Sequence, residues 1–141
     1  MSTSPSTDRS CAELRVLLVD DEDAFRTNLA EILREDGHDV LAYRSPTEVP
    51  ALDDLAPIAA VITDFDMPAV NGLAFADAIH GARPDLPVMI VTANPSVTIA
   101  PVTALRSDFL SVLSKTVAYD RIHELLHTVT ERGLSAGLRR R

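Results

Sequence analysis

Residues 14–21 read LRVLLVDD, a short aliphatic run that ends abruptly in two aspartates. A run of this length without polar alternation is typical of a strand buried on both faces, as in a parallel sheet. Apolar residues then recur at helical spacing from Phe25 to Leu33, and Gly37 follows as a stop signal. The segment predicts a buried strand, an acidic turn and an amphipathic helix.

The same order of strand and helix recurs along the chain. Further aliphatic runs lie at 40–43, 59–63, 88–91 and 112–113. Helical patterns follow them: a weak one that starts at Ser45-Pro46, then 72–82, 95–105 with Pro101 inside it, and 122–129. Five strands alternating with helices predict an α/β fold, a doubly wound parallel sheet with helices on both faces.

Composition narrows the class of protein. The chain has 141 residues, of which 46% are hydrophobic and 24% charged, and this suits one globular domain with a substantial core. We expect a flexible leader at 1–12, a folded domain at 13–132 and a flexible basic tail at 133–141. No apolar run approaches the ~18–20 residues of a membrane span, and no signal-peptide core is present, so a cytoplasmic protein without membrane contact is expected. The net charge of −8 argues against direct nucleic-acid binding.

Polar residues suited to chemistry follow four of the predicted strands. The acidic pair comes after the first strand and another aspartate after the third, with a hydroxyl after the fourth and an amine after the fifth. These residues are Asp20, Asp21, Asp64, Thr92 and Lys115. Because the carboxyl ends of parallel strands meet at one edge of the sheet, we expect them to converge there. Each alone has a simpler explanation as a turn former, cap or surface residue, but their joint placement favours a site.

The residue types at this edge indicate phosphoryl chemistry assisted by a cation. Three crowded carboxylates repel one another, and Mg²⁺, which prefers oxygen ligands, relieves that repulsion. Lys115 and Thr92 suit the oxygens of a transferring phosphoryl group, and Asp64 is the candidate nucleophile for an acyl phosphate. No cysteine or histidine cluster lies there, so zinc is not expected. The four histidines are expected at the surface or on helix faces: His38, His80, His123 and His127.

Four motifs resemble those of response-regulator receiver domains. VLLVDDE at 16–22 resembles their first strand and acidic pair, and DFDMPAVNG at 64–72 looks like their phosphorylation motif. VTA at 91–93 is similar to the motif that carries the hydroxyl, and SK at 114–115 to the lysine motif. The resemblance spans about residues 13–130 and implies the CheY-like, flavodoxin-like strand order 2-1-3-4-5.

The resemblance also implies roles for individual residues. Asp64 would accept a phosphoryl group, while Asp21, Asp64 and the backbone carbonyl of Asp66 would bind Mg²⁺, with Asp20 acting directly or through water. Thr92 and Lys115 would contact the phosphoryl oxygens. The side chains of Asp66 and Asn94 would tune the hydrolysis of the acyl phosphate.

The implied activity is that of a signalling module and not of an enzyme with a separate substrate. Such a domain catalyses only its own phosphorylation and dephosphorylation. The donor would be a sensor histidine kinase or a phosphotransfer protein. A downstream protein would bind the face formed by the fourth helix, fifth strand and fifth helix, and homodimerisation is left open. The chain would be a stand-alone receiver or a fragment of a longer regulator.

Two positions depart from the family pattern. The family usually has proline after the lysine, often with a cis peptide bond; Thr116 stands there, and a cis Lys115-Thr116 bond would cost ~3–4 kcal/mol. An aromatic residue usually precedes the lysine by three positions, but here that residue is Val112. Phe109 and Tyr119 are candidates to replace it, although simple packing is the more economical explanation for each.

Two alternatives remain open from the sequence. Residues 62–66 also resemble the Asp-x-Asp motif of haloacid-dehalogenase-type phosphatases, with Asp64 as nucleophile and Asp66 as general acid. That hypothesis leaves the upstream acidic pair unexplained. A degenerate receiver that binds partners without phosphorylation is the second alternative, motivated by Val112 and Thr116.

Overall fold

The fold is described by a computed structural model for residues 14–52, 55, 57–68, 70–93, 110–115 and 119–128. These residues form five strands: β1 (Arg15–Val19), β2 (Asp39–Tyr43), β3 (Ala60–Asp64), β4 (Val88–Thr92) and β5 (Leu110–Ser114). The helices within these ranges are α1 (Asp23–Glu35), α2 (Gly72–Ala82) and the helical residues 119–128, called α3 here. Within the described ranges no helix has the length and apolar character that a bilayer crossing requires.

The strands form one parallel sheet in the order β2-β1-β3-β4-β5, which confirms the predicted topology. Its register aligns Leu18 with Ala42 on one side and with Ile62 on the other. The expected helix at 95–105 lies outside the described residues. So do the predicted leader and tail.

Two hydrophobic cores cover the two faces of the sheet. Successive strand residues point to opposite faces, so β1 contributes Val16 and Leu18 to one core and Leu17 and Val19 to the other. The first core is closed by α1 and α3 through Leu29, Leu33, Ile122 and Leu126. The second is closed by α2 through Phe75, Ala76 and Ile79. Helices therefore lie on both faces, as predicted.

The weak helix predicted after β2 is much shorter than its pattern suggested. Ser45 caps it as expected, since its side-chain oxygen accepts a hydrogen bond from the N–H of Thr47 at 3.2 Å. However, the 3₁₀ turn that Ser45 caps covers only Pro46–Glu48, and Val49 is already extended with ψ 125°. Leu52 has 3₁₀ geometry again, and its carbonyl accepts a hydrogen bond from the N–H of Leu55 at 3.1 Å. Val49 precedes Pro50, and the residue before a proline is sterically driven out of the helical region. The pattern of apolar spacing overlooked that restriction.

Two of the four histidines are buried: His38, which lies neither at the surface nor on a helix face as expected, and His80, which lies on a helix face as expected, but on the buried one. His38 follows α1 and its Nδ1 accepts a hydrogen bond from the backbone N–H of Leu14 at 3.2 Å. His80 lies on the buried side of α2, with Nε2 2.9 Å from the carbonyl oxygen of Leu86. Both side chains bond to backbone groups at strand entrances, where a polar group satisfies a donor or acceptor that would otherwise be buried without a partner.

Candidate functional site

Asp20, which directly follows β1, is completely buried at 0% exposure. Its backbone N–H donates to the carbonyl of Tyr43 at 3.1 Å, and its Oδ1 accepts from the N–H of Glu22 at 2.8 Å. The guanidinium of Arg26 donates to the Asp20 carbonyl at 2.7 Å. These bonds hold the carboxylate in place, while the next side chain, Asp21, is exposed.

Asp64 is the last residue of the central strand β3 and is only 4% exposed. The turn that follows is fixed on both sides. The N–H of Phe65 donates to Val91 on β4 at 2.8 Å, and the N–H of Gly72 donates back to Phe65 at 2.8 Å. The carboxylate of Asp64 is therefore presented at the edge of the sheet by a short, hydrogen-bonded turn.

The carboxylates of Asp20, Asp21 and Asp64 can each place an oxygen within 4.8 Å of the others. Oδ2 of Asp20 is buried and accepts no hydrogen bond from the described residues, although the Lys115 ammonium lies 3.1 Å away as an ion-pair partner. A buried carboxylate oxygen without a hydrogen bond is costly. An all-oxygen set with such an orphaned atom fits Mg²⁺, which binds through one or two carboxylates and keeps several waters.

Lys115, the only lysine in the sequence, reaches this cluster from the end of β5. Its backbone N–H donates to the carbonyl of Thr92 at 2.8 Å, so the two strand ends are tied together. Its Nζ lies 2.9 Å from Oε1 of Glu22, 3.1 Å from Oδ2 of Asp20 and 3.6 Å from Oδ1 of Asp64. The side chain is 12% exposed. The lysine therefore neutralises the cluster but is closer to Glu22 and Asp20 than to Asp64.

The electrostatics of the cluster make ionisation of its two buried carboxyls more costly. Burial, followed by the charge of Asp20, raises the pKa of Asp64 to about 7, although Lys115 acts in the opposite direction. Burial also raises the pKa of Asp20. Burial lowers the pKa of Lys115, but the carboxylates of Glu22, Asp20 and Asp64 outweigh it and the net pKa is raised. A second positive charge at this edge would stabilise the ionised aspartates.

The structure places five sequence-predicted residues at the same edge of the sheet: Asp20, Asp21, Asp64, Thr92 and Lys115. Thr92 is the buried last residue of β4, and its register partner Ser114 immediately precedes Lys115. Asp66 is exposed in the turn after β3. Asn94, Phe109 and Thr116 lie outside the described residues.

Two neighbours of Lys115 were not predicted from the sequence. Glu22 belongs to the acidic motif at 16–22, and its position next to Asp21 is the sequence signal that could have predicted its contact with the lysine. Phe25 was assigned to the apolar face of α1, yet Nζ of Lys115 lies 4.6 Å from the centre of its ring. The apolar pattern could not reveal that contact, because it joins residues separated by most of the chain.

Gly72 provides a test of how the turn places Asp64. A Cβ at this position would overlap the carbonyl oxygen of Asp64 and lie 2.9 Å from Cα of Phe65. We expect Gly72→Ala to lower the free energy of unfolding by about 1–3 kcal/mol, because backbone must move. Gly81→Ala is the matched control on the same helix. A Cβ there meets nothing within 4 Å, so it should raise stability by up to ~1 kcal/mol. Urea denaturation measures both, and equal effects would contradict the close approach.

Comparison with known proteins gives one consistent result. The family model described as response regulator receiver domain matches residues 16–127. A response regulator receiver protein of Anaeromyxobacter sp. (strain Fw109-5) is 36% identical over 79% of this chain and 46% of the relative. Response regulator MprA of Mycobacterium tuberculosis is 35% identical over 69% of this chain and 43% of the relative. The chain thus spans less than half the length of these curated relatives.

Solved structures show the same likeness. A response regulator receiver domain protein from Clostridium thermocellum superposes with a TM-score of 0.74 at 25% identity, covering 87% of this chain and 98% of that one. Response regulator TrrA from Thermotoga maritima, solved in complex with Mg²⁺-BeF, has a TM-score of 0.69 at 25% identity, covering 82% and 98%.

Proposed function

Since the chain belongs to the response regulator receiver domain family, we propose that it accepts a phosphoryl group on Asp64 and signals by phosphorylation-dependent protein contacts. A receiver domain is a signalling domain of two-component systems and not a classical enzyme. The observation that carries the assignment to Asp64 is the convergence of three carboxylates and the only lysine at one edge of the sheet.

The proposed reaction is an in-line displacement at phosphorus. An oxygen of Asp64 forms a bond to phosphorus while the phosphorus–nitrogen bond of a donor phosphohistidine breaks, and the imidazole leaves. Nζ of Lys115 lies 3.6 Å from Oδ1 of Asp64, so a small shift of this side chain would bring it to the phosphoryl oxygens. There its positive charge would stabilise the transferring group.

Mg²⁺ is the cation that we propose for this site, held by Asp21, Asp64 and the carbonyl of Asp66, with Asp20 bound directly or through water. When bound, it would neutralise charge on the carboxylates and on the phosphoryl oxygens. TrrA, which is similar in structure, was solved with Mg²⁺-BeF. Thr92 would donate its hydroxyl to a phosphoryl oxygen, and the side chains of Asp66 and Asn94 would tune hydrolysis.

The proposed partners are a sensor histidine kinase or phosphotransfer protein upstream and an effector protein downstream, in the cytoplasm. We place the receiver at residues 13–132, with a leader before it and a basic tail after it. The output face would be formed by the predicted helix at 95–105, β5 and α3. A homodimer through this face is compatible with the same proposal.

Labelling with a small phosphodonor tests the proposed function. With Mg²⁺ and acetyl phosphate, we expect the wild-type protein to gain one phosphoryl group per chain by intact mass spectrometry. Asp64→Asn should abolish the label, because an amide does not form the acyl phosphate. Asp66→Asn is the matched control two residues away and should retain the label with an altered rate of decay.

The same experiment decides between the receiver and its alternatives. No Mg²⁺-dependent adduct on the wild type would contradict the proposal and favour a receiver that binds partners without phosphorylation. Continuous hydrolysis of a phosphomonoester, abolished by Asp66→Ala, would favour the phosphatase. The match to the receiver family includes Asp20 and Asp21, which the phosphatase hypothesis does not explain.

A further inference from the structure

The ring of Phe25 lies between the site and α3. Phe25 belongs to the first turn of α1 and is 9% exposed. One contact is with Lys115, whose Nζ lies 4.6 Å from the ring centre. The other is with Tyr119, the first described residue of α3, with ring centres 5.9 Å apart and planes inclined by 24°. Phe25 therefore contacts both a residue of the acidic cluster and a residue of a helix outside it.

Lys115 and Tyr119 bracket the connection from β5 to α3. The three residues between them are Thr116, Val117 and Ala118. None is proline, the residue that the receiver family usually has after this lysine. Phe25 contacts both Lys115 and Tyr119, the described residues on either side of these three.

Val112, which stands where the family usually has an aromatic residue, cannot serve this purpose. Val112 packs against the core on the α2 side of the sheet, whereas Phe25 and Tyr119 belong to the opposite core. Within the described residues, the aromatic contact of the lysine is thus made from α1 and not from β5.

The position of Lys115 depends on competing partners. Its ammonium is attracted by the face of the Phe25 ring and by the carboxylates of Glu22, Asp20 and Asp64. The Glu22 side chain is 57% exposed, and such a pair is weak because water screens it. A phosphoryl group on Asp64 would add negative charge beside the ammonium and strengthen the attraction of Asp64 relative to those of Glu22 and the ring.

We propose that Phe25 is a positioning residue that couples the position of the Lys115 ammonium to the position of the Tyr119 ring at the start of α3. While Lys115 lies over the ring, Phe25 is held against Tyr119. When the lysine moves onto a phosphoryl group, the ring loses that contact and its stacking on Tyr119 changes, so α3 responds. The inference rests on the proposed function, since it requires a phosphoryl group at Asp64.

The composition of the chain makes this link observable by NMR. Lys115 is the only lysine, so ¹³C-lysine labelling reports on that side chain alone. The two tyrosines are Tyr43 and Tyr119, and Tyr43→Phe leaves the ring resonances of Tyr119 as the only tyrosine signals. Phe25→Leu in this background removes the aromatic face but keeps an apolar side chain. Phe75→Leu is the matched control, an equally buried phenylalanine in the other core.

Without ligand, we expect the ε-methylene resonances of Lys115 to carry an upfield ring-current shift that Phe25→Leu abolishes and Phe75→Leu retains. With Mg²⁺ and beryllium fluoride, which stands in for a phosphoryl group, Lys115 and Tyr119 signals should both move in the parent. In Phe25→Leu the Lys115 signals should still move, while those of Tyr119 should not. Movement of Tyr119 to the same extent in Phe25→Leu would overturn the link.

Failure of the proposed function has a different signature. If Lys115 does not respond to Mg²⁺ and beryllium fluoride in the parent, the phosphoryl site itself is contradicted. Tyr119→Leu provides a second variant at a half-buried position. Because coupling is reciprocal, the ring-current shift of Lys115 should diminish in Tyr119→Leu, and an unchanged Lys115 resonance would also overturn the link.

Discussion

Asp64→Asn is expected to stabilise the protein by about 4 kcal/mol near pH 8 when no divalent cation is bound. Burial and the neighbouring charge of Asp20 raise the pKa of Asp64 from its usual 3.8 to about 7. Each unit of pKa corresponds to about 1.4 kcal/mol of differential interaction between the two protonation states. An asparagine has the same shape as the carboxyl and never ionises, so the variant avoids that cost.

The gain in stability should depend on pH in a defined direction. Because the folded-state pKa of Asp64 lies above its value in the unfolded chain, its contribution to stability is fully present below pH 3.8 and is lost as pH rises to about 7. The wild type therefore loses stability over this interval from Asp64, and Asp64→Asn does not. The difference between the two proteins should be small near pH 4 and largest near pH 8.

Urea denaturation across this pH range, with EDTA present, measures the effect. Asp66→Asn is the matched control, since Asp66 is exposed and the same change in charge there should alter stability by less than about 0.5 kcal/mol. If Asp64→Asn were less stable than the wild type at every pH, that result would contradict the burial of the Asp64 carboxylate among like charges. Saturating Mg²⁺ should stabilise the wild type more than Asp64→Asn, because the cation relieves repulsion that the variant lacks.

Lys115→Met should change the free energy of unfolding by a comparable amount in the opposite direction, so that it destabilises the protein. The lysine is the cation that faces Asp20 and Asp64, both of them buried. Removing one partner leaves uncompensated charge in the protein interior, and we expect a loss of about 3 kcal/mol near pH 8 without a divalent cation. Methionine retains the length and apolar character of the lysine stem, so the packing changes little.

The loss should diminish on acidification, because protonation of Asp64 removes part of the charge that the lysine neutralises. Arg121→Met is the matched control. It removes one positive charge from an exposed ion pair with Glu124, 2.8 Å long, and should cost less than about 1 kcal/mol. Equal denaturation midpoints for Lys115→Met and wild type near pH 8 would show that Lys115 does not stabilise the cluster.

The sheet and its helices were predictable because their signals are local. Val16 to Val19 form an unbroken apolar run only where both faces of a strand are covered, and the periodicity of Phe25, Leu29 and Leu33 indicates one buried helix face. The prediction went wrong where a local steric rule opposes the apolar pattern. Pro50 follows Val49, where the 3₁₀ turn of Pro46–Glu48 gives way to extended backbone.

The candidate site was predictable to the extent that topology determines it. Parallel strands bring their carboxyl ends to one edge, so Asp20, Asp64 and Lys115 converge whatever the details of packing. The burial of His38 was not predictable in this way, because its hydrogen-bond partner Leu14 lies 24 residues earlier in the chain.

The sequence by itself determined the order of the elements, the residue types at the strand ends and hence the chemistry open to that edge. Only the tertiary structure decided that Lys115 pairs more closely with Glu22 than with Asp64, that Asp20 is buried with an orphaned oxygen, and that Phe25 joins the lysine to Tyr119. The physical reason is the separation along the chain between the residues that interact. Strand and helix patterns reflect neighbours within one element, whereas burial and charge pairing depend on side chains that meet only when distant elements pack.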